Sequence, residues 1–223
     1  MSGQRRRSTP RATSPAGGLI GVLREEGISD RRVLEAFRQV RREQFVPLAH
    51  VLHAYDDRPI PIGHHQVTTQ PSLVARMVEA LRLTGSERVL EVGTGLGFQT
   101  AILAALASEV YSVERFPELA EQAGRNLAVA RVERVTVIVG DGTLGLPKHA
   151  PFDAIVVSAA APEVPSPLVD QLADEGRLVH PIGPGGNEMV IAFRKEGGEL
   201  AEESRLVPAY FVPLVGRYGL PEG

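Results

Sequence analysis

Three glycines at alternate positions, Gly93, Gly95 and Gly97, follow the apolar run Val89-Leu-Glu-Val92 and precede Phe98-Gln-Thr-Ala-Ile-Leu-Ala-Ala-Leu-Ala107. The run has the character of a buried parallel strand, and the stretch after the glycines that of a helix. A strand that breaks into glycines and re-enters as a helix gathers backbone N–H groups at the carboxyl edge of a sheet, where a ligand can approach the main chain closely. The dinucleotide fingerprint G-x-G-x-x-G needs its third glycine at the position of Phe98, but here it falls one residue early. With Glu91 on the strand, G-x-G-x-G suits S-adenosylmethionine, which has no pyrophosphate to cradle. Alone, the pattern also fits glycines that merely permit tight strand–helix packing.

Two further acids stand where such a ligand needs them. Glu114 ends a second apolar run, Ala107 to Val113, about twenty residues past the glycines, where a carboxylate can accept from both ribose hydroxyls. Asp141, between Gly140 and Gly142 after the run Val135–Val139, is placed to take an adenine amine. Either could instead be an ordinary solvated strand-end acid, but three strands each ending in a ligand-competent group argue for a site. A nicotinamide dehydrogenase is the competing reading, disfavoured by Phe98.

No acid–base constellation accompanies this site. His64 and His65 are adjacent, and in extended chain their rings point to opposite faces, so a shared metal is not expected. There is no G-x-S-x-G and no cysteine, which excludes thiol catalysis, disulfides and thiolate metal sites. Methyl transfer to a carboxylate needs no such groups, because a carboxyl with a pKa of about 4 is already ionised at neutral pH. Thr69, just before Pro71, is either the N-cap of the following helix or a hydroxyl that orients an acceptor.

The elements that position these residues follow from periodicity and punctuation. The 223 residues suit one α/β domain with a short extra element, and the 43% apolar content supports a sizeable core. A net charge of −3 carries no signature of nucleic-acid binding, and no apolar run reaches transmembrane length; the expectation is a soluble, cytoplasmic protein. Residues 1–17, with Arg5-Arg-Arg7, read as a disordered basic tail. Residues 18–83 read as N-terminal helices and a loop, and residues 84–218 as the cofactor-binding core. Ser29 or Asp30 caps a helix expected to run to about Gln44, with Val33, Leu34, Phe37 and Val40 inward and Arg31, Arg38, Arg41 and Arg42 on a solvent face. From Phe45 to Pro71 a proline-punctuated segment is too apolar for disorder and is expected to close over the cofactor. Pro71 opens a helix to about Leu83. Strands are expected at 151–158, 176–182, 189–194 and 205–214, the last two joined through Glu196-Gly-Gly-Glu199. Together they make a Rossmann-like, mixed but mostly parallel, seven-stranded sheet.

The chain resembles the protein-L-isoaspartate (D-aspartate) O-methyltransferases from about Val33 to Gly216. The resemblance rests on Arg41-Arg-Glu-Gln-Phe-Val-Pro47, on Ala54-Tyr-Asp-Asp-Arg-Pro-Ile-Pro-Ile-Gly63, on Gln70-Pro71 and on the glycine segment. Tyr111-Ser-Val-Glu-Arg115, Ala159-Ala-Ala-Pro-Glu163 and Phe211-Val-Pro-Leu-Val-Gly216 add to it. It implies S-adenosylmethionine as cofactor, isoaspartyl-containing proteins and peptides as substrates, and methylation of the free carboxylate as the start of their repair. It implies a cofactor set of Glu91, Gly93, Thr94, Gly95, Gly97 and Gln99, continued by Thr100, Glu114, Arg115, Asp141 and Gly142. The acceptor side becomes Ile62, Gly63, His64, His65, Gln66, Val67 and Thr68, with Ala160, and Thr69 is the active-site hydroxyl. The family usually reads Ile-Gly-x-Gly-Gln-Thr-Ile-Ser-Gln-Pro, so here His65 replaces a glycine, Val67 a threonine, Thr68 an isoleucine and Thr69 a serine. These departures leave a methyltransferase with an altered acceptor, or a weakly active reader of modified protein, as the alternative.

Overall fold

Within the residues described by the computed structural model, 15–184 and 186–221, the chain begins with α1 (Pro15–Glu25). Residues 1–14 of the expected tail lie outside the described residues, and residues 15–17 are the first turn of α1. Leu19, Ile20 and Leu23 of this helix are buried against Val33 and Phe37 of α2 (Arg31–Gln39). Burying each such side chain contributes about 1.5–3 kcal/mol. Asp30 caps α2 by accepting from the Arg32 and Val33 N–H groups. The helix stops at Val40, which is extended, several residues short of the expected Gln44.

The stop has a physical consequence at Arg42. A 3-10 turn, Arg42–Phe45, swings this side chain into the interior, where it has no exposed surface. The expectation that Arg42 shares a solvent face with Arg31, Arg38 and Arg41 is therefore corrected for Arg42, while the other three remain exposed. A second 3-10 turn (Leu48–His53) leads into a hairpin of β1 (Ile60–Gly63) and β2 (Gln66–Thr68). The long connection is thus built structure. His64 and His65 form its turn with φ of 51° and 55°, not the extended chain expected for the pair.

α3 (Pro71–Ala80) packs against α1 and α2 and is followed by β3 (Arg88–Val92), the buried strand read from the apolar run. Then come α4 (Phe98–Ala104), β4 (Glu109–Glu114), α5 (Pro117–Val129) and β5 (Val135–Val139). The chain then crosses to the other side of β3 with β6 (Phe152–Val157), α6 (Ser166–Gln171) and β7 (Leu172–Ile182). The sheet order is β5-β4-β3-β6-β7, completed by β8 (Glu188–Glu196) and β9 (Glu199–Ala209). Strands β3 to β7 are mutually parallel, and β8 and β9 each pair antiparallel with their predecessor. β9 begins six residues before the expected position because Gly197 and Gly198, at φ of 59° and 89°, reverse the chain in two residues. Strand order reverses between β3 and β6, and at such a point the carboxyl ends of the strands leave a crevice. Among the described residues, no helix is long and apolar enough to cross a membrane.

Candidate active site

Three strand ends meet at that crevice: Gly93 after β3, Glu114 at the end of β4, and Ser158 after β6. Gly93 and Gly95 have φ of 96° and 55°, which a side chain rarely adopts. A Cβ on Gly93 would lie 3.3 Å from Cβ of Ser158, and one on Gly95 would lie 3.2 Å from Cδ1 of Ile62. The glycine loop is therefore faced by β6 on one side and by the β1–β2 hairpin on the other.

An open cleft runs between them. Its lining includes the glycine loop, Glu114, Leu119 and Gln99 on the sheet side, and Ile62, Gln66, Val67, Thr68 and Thr69 on the hairpin side. Glu114 is buried and accepts from the Gly95 N–H at 2.8 Å and the Phe116 N–H at 3.0 Å. A carboxylate has about four acceptor positions, so these bonds orient it and leave capacity for two vicinal hydroxyls. A close-approach loop at Gly93 and Gly95, with an oriented carboxylate at the neighbouring strand end, fits an adenosyl cofactor; Gly97 faces α5 instead, where a Cβ would lie 3.3 Å from Leu127 Cγ. S-adenosylmethionine would lie against Gly93–Gly97 with its ribose at Glu114.

Beneath the loop, Glu91 is wholly enclosed by donors from its own fold. Its carboxylate accepts from Ser112 Oγ at 2.6 Å, from Gln99 Nε2 at 3.0 Å and from Thr100 Oγ1. Burial raises its pKa to about 7, against the lowering effect of those hydrogen bonds. Glu91 and Thr100 are thus supports of the loop and not part of the cleft lining, as Thr94 in part is too, with its hydroxyl 2.5 Å from Ser112 Oγ.

Other expected residues also stand behind the cleft. Asp141 accepts from the Thr143 N–H and hydroxyl and from the Arg217 N–H, 2.8 Å away. Burial pushes its pKa up, but these donors outweigh it and hold the carboxyl below its ordinary value. Its carboxylate so ties the carboxyl-terminal segment to the sheet. Gly142 is packed so tightly on β3 that a Cβ would reach within 2.4 Å of Val92 Cγ1. Arg115 lies over the Phe116 ring at 4.8 Å. Ala160 is buried; its N–H donates to the Val212 carbonyl and its carbonyl accepts from the Leu214 N–H, so it fixes segment 212–214 beside the cleft.

At the hairpin tip, Gly63, His64 and His65 fall outside the lining. The His64 ring stacks on Phe116 with centroids 4.6 Å apart and lies 3.8 Å from Glu118, clamping the tip onto the corner after Glu114. The left-handed turn carries both histidines away from the cleft. Thr69 is not a helix cap: Gln70 holds that position in α3, and the Ser72 N–H donates to Asp57 at 2.8 Å. The Thr69 hydroxyl makes no hydrogen bond to another described residue.

A second groove, of about 790 Å³, runs outward between α3 and the 207–212 segment toward Arg76 and Glu26, which pair with each other. Four residues line both spaces: Val67, Thr69, Ser158 and Val212. Neither Ser158 nor Val212 was singled out from the sequence as a site residue. The signal for Ser158 was its place directly after the fourth parallel strand, at the point where the strand order reverses.

A profile of the family described as protein-L-isoaspartate(D-aspartate) O-methyltransferase matches residues 16–219. The protein-L-isoaspartate O-methyltransferase of Methanoculleus marisnigri is 50% identical over 197 residues, covering 88% of this chain and 89% of its own. Protein-L-isoaspartate O-methyltransferase 2 of Marinobacter nauticus is 50% identical over 196 residues, covering 87% and 90%. A solved structure named protein-L-isoaspartate O-methyltransferase superposes with a TM-score of 0.80 at 29% identity, over 92% of this chain and 67% of that one. Another, from Plasmodium falciparum, is named for the same activity and holds S-adenosyl-L-homocysteine; its TM-score is 0.77 at 25% identity, over 89% and 97%.

Proposed function

The chain belongs to the protein-L-isoaspartate (D-aspartate) O-methyltransferase family, and from that premise we propose how its residues divide the work. The enzyme methylates the free carboxylate of L-isoaspartyl and D-aspartyl residues in damaged proteins, the step that opens their repair. S-adenosylmethionine supplies a methyl group on a cationic sulfur, an electrophile that needs only an ionised oxygen in line with it. Glycines 93 and 95 admit the cofactor against the main chain, Gly97 lets the loop pack on α5, and Glu114 accepts from the ribose. The outer groove takes the acceptor peptide, and its carboxylate enters between Thr69 and Ser158.

The single observation that carries this division is the shared lining. The cofactor cleft and the outer groove meet at Val67, Thr69, Ser158 and Val212, and none of these side chains titrates. A carboxylate acceptor arrives ionised, so the chain's part is to orient it and exclude water. Thr69, with its hydroxyl unused by the fold, orients the acceptor; its branched Cβ restricts χ1 and so fixes the hydroxyl's direction. Glu91, Thr100, Asp141 and Gly142 serve by holding the loop and the carboxyl-terminal segment. His64 serves by docking the hairpin tip on Phe116. The cytoplasm as compartment, and proteins in place of nucleic acid or membrane as partners, belong to the same proposal; the net charge of −3 supports the second part.

Thr69→Val tests the reading, because it removes the hydroxyl while keeping the branched shape. Methylation of an isoaspartyl peptide should fall by about tenfold or more, with affinity for S-adenosylhomocysteine nearly unchanged. Equal loss of both would place Thr69 in the cofactor cradle instead.

A further inference from the structure

We propose that Ser158 is a second hydroxyl donor to the acceptor carboxylate, set opposite Thr69 and aimed by Gln99. The inference rests on the carboxyl-methylation reading and adds a residue to it. Ser158 follows β6 at the reversal of strand order and lines both the cofactor cleft and the acceptor groove. Its side chain is half-buried and reaches the space where the two meet.

The hydrogen-bond directions decide what it can do there. Nε2 of Gln99 donates to Ser158 Oγ at 2.9 Å and to Glu91 Oε1 at 3.0 Å. An amide nitrogen has two hydrogens, and both are committed in this way. Ser158 therefore accepts from Gln99, and its own hydrogen finds no acceptor among the described residues. It is left pointing away from Gln99 with a donor to offer. The neighbouring hydroxyl of Thr69 is equally unused. Two neutral donors facing one junction match the two oxygens of a carboxylate.

Neutral donors also suit the reaction better than a cation would. The anionic acceptor loses charge on the way to the transition state, so a lysine or arginine at the junction would hold the ground state more strongly than the transition state. A neutral hydroxyl fixes direction with less of that penalty. The hydrogen stays on Ser158 throughout, so the residue acts neither as acid nor as nucleophile. Arg76, in the same groove, is engaged with Glu26 at the outer end.

The test compares Ser158→Ala and Ser158→Thr with the parent enzyme. Three quantities are measured: kcat/KM for an isoaspartyl peptide, affinity for that peptide with S-adenosylhomocysteine present, and affinity for S-adenosylhomocysteine alone. The alanine variant should lose about ten- to a hundredfold in kcat/KM and bind the peptide more weakly, while its S-adenosylhomocysteine affinity stays within about twofold. The threonine variant should recover most of the loss, since it restores a hydroxyl. If the alanine variant fails to fold, Ser158→Cys, of similar volume with a weak donor, should show the same deficit. Alanine turnover within about twofold of the parent overturns the proposal, and so does equal impairment of the alanine and threonine variants. Loss of S-adenosylhomocysteine affinity in step with turnover overturns it too, by showing that Ser158 only supports the glycine loop. A parent that methylates no isoaspartyl peptide sinks the functional reading and this inference together; an active parent with an active alanine variant sinks this inference alone.

Discussion

Nη2 of Arg42 donates to the Thr69 carbonyl across 3.1 Å, so a guanidinium with no exposed surface holds the residue that carries the proposed acceptor hydroxyl. The same group donates to the carbonyls of Ala54, Asp56 and Arg58 and lies 5.3 Å over the Phe98 ring at the start of α4. It joins both flanks of the β1–β2 hairpin to the helix that follows the glycine loop. Burial lowers its pKa to about 10, against the raising effect of Asp57 and Asp56, so it remains charged at neutral pH.

Arg42→Lys should therefore be costly although it preserves the charge. One ammonium cannot reach four carbonyls arranged for a planar fork, and the unmet acceptors stay buried. The expected loss is about 3 kcal/mol or more in denaturant unfolding. A loss below about 1 kcal/mol would show that the hairpin does not depend on this side chain.

Glu114→Gln addresses the cofactor side. The amide keeps the size of the side chain but replaces a charged acceptor by a neutral one at the Gly95 and Phe116 N–H groups and at the ribose. Affinity for S-adenosylhomocysteine by calorimetry should drop about tenfold. Unchanged affinity would remove Glu114 from the cofactor contacts.

Glu91 makes a prediction about stability and pH. Burial holds its folded pKa at about 7, above the 4.5 of an ordinary glutamate. Between those values the folded protein keeps a proton that the unfolded chain has released, so this residue's contribution to stability declines as pH rises from about 4.5 to 7. Glu91→Gln has no such proton. The Tm of the variant relative to the parent should therefore climb across that window and level off above it. A relative Tm that stays flat or falls would contradict the raised value.

How much of this was legible in the sequence differs from place to place. β3 and the glycine loop could be read because a buried parallel strand is almost wholly apolar and glycine is needed where backbone meets ligand. Glu114 followed from its distance to that loop. Arg42 could not be read, since an arginine on the polar side of a helical pattern looks solvated until the helix is seen to end at Val40. The turn at His64 and His65 is illegible for a related reason: nothing in the pair itself signals a left-handed conformation, which asparagine or glycine would announce. Asp141 is legible as a strand-end acid, but its tie to the Arg217 N–H, 76 residues away, is not. Ser158 is legible only as the residue that follows the fourth parallel strand; its place at the junction emerges from the meeting of two cavities.

The absence of a titrating side chain at the junction predicts a nearly flat rate profile between about pH 6 and 8 with a carboxylate acceptor. Protonated Glu91 still offers an oxygen to Gln99, so its titration should leave Ser158 in place. Any small step near pH 7 should vanish in Glu91→Gln. A steep rise that survives in that variant would mean a base acts in the reaction and the acceptor is not a carboxylate.

Methylation specific to the isoaspartyl carboxylate is tested most directly by transfer of labelled methyl from S-adenosylmethionine to two peptides that differ only in whether one residue is isoaspartyl or aspartyl. A base-labile methyl ester is expected on the isoaspartyl peptide, with little or none on its aspartyl twin. Cofactor binding with no ester on either peptide, or equal labelling of both, would contradict it.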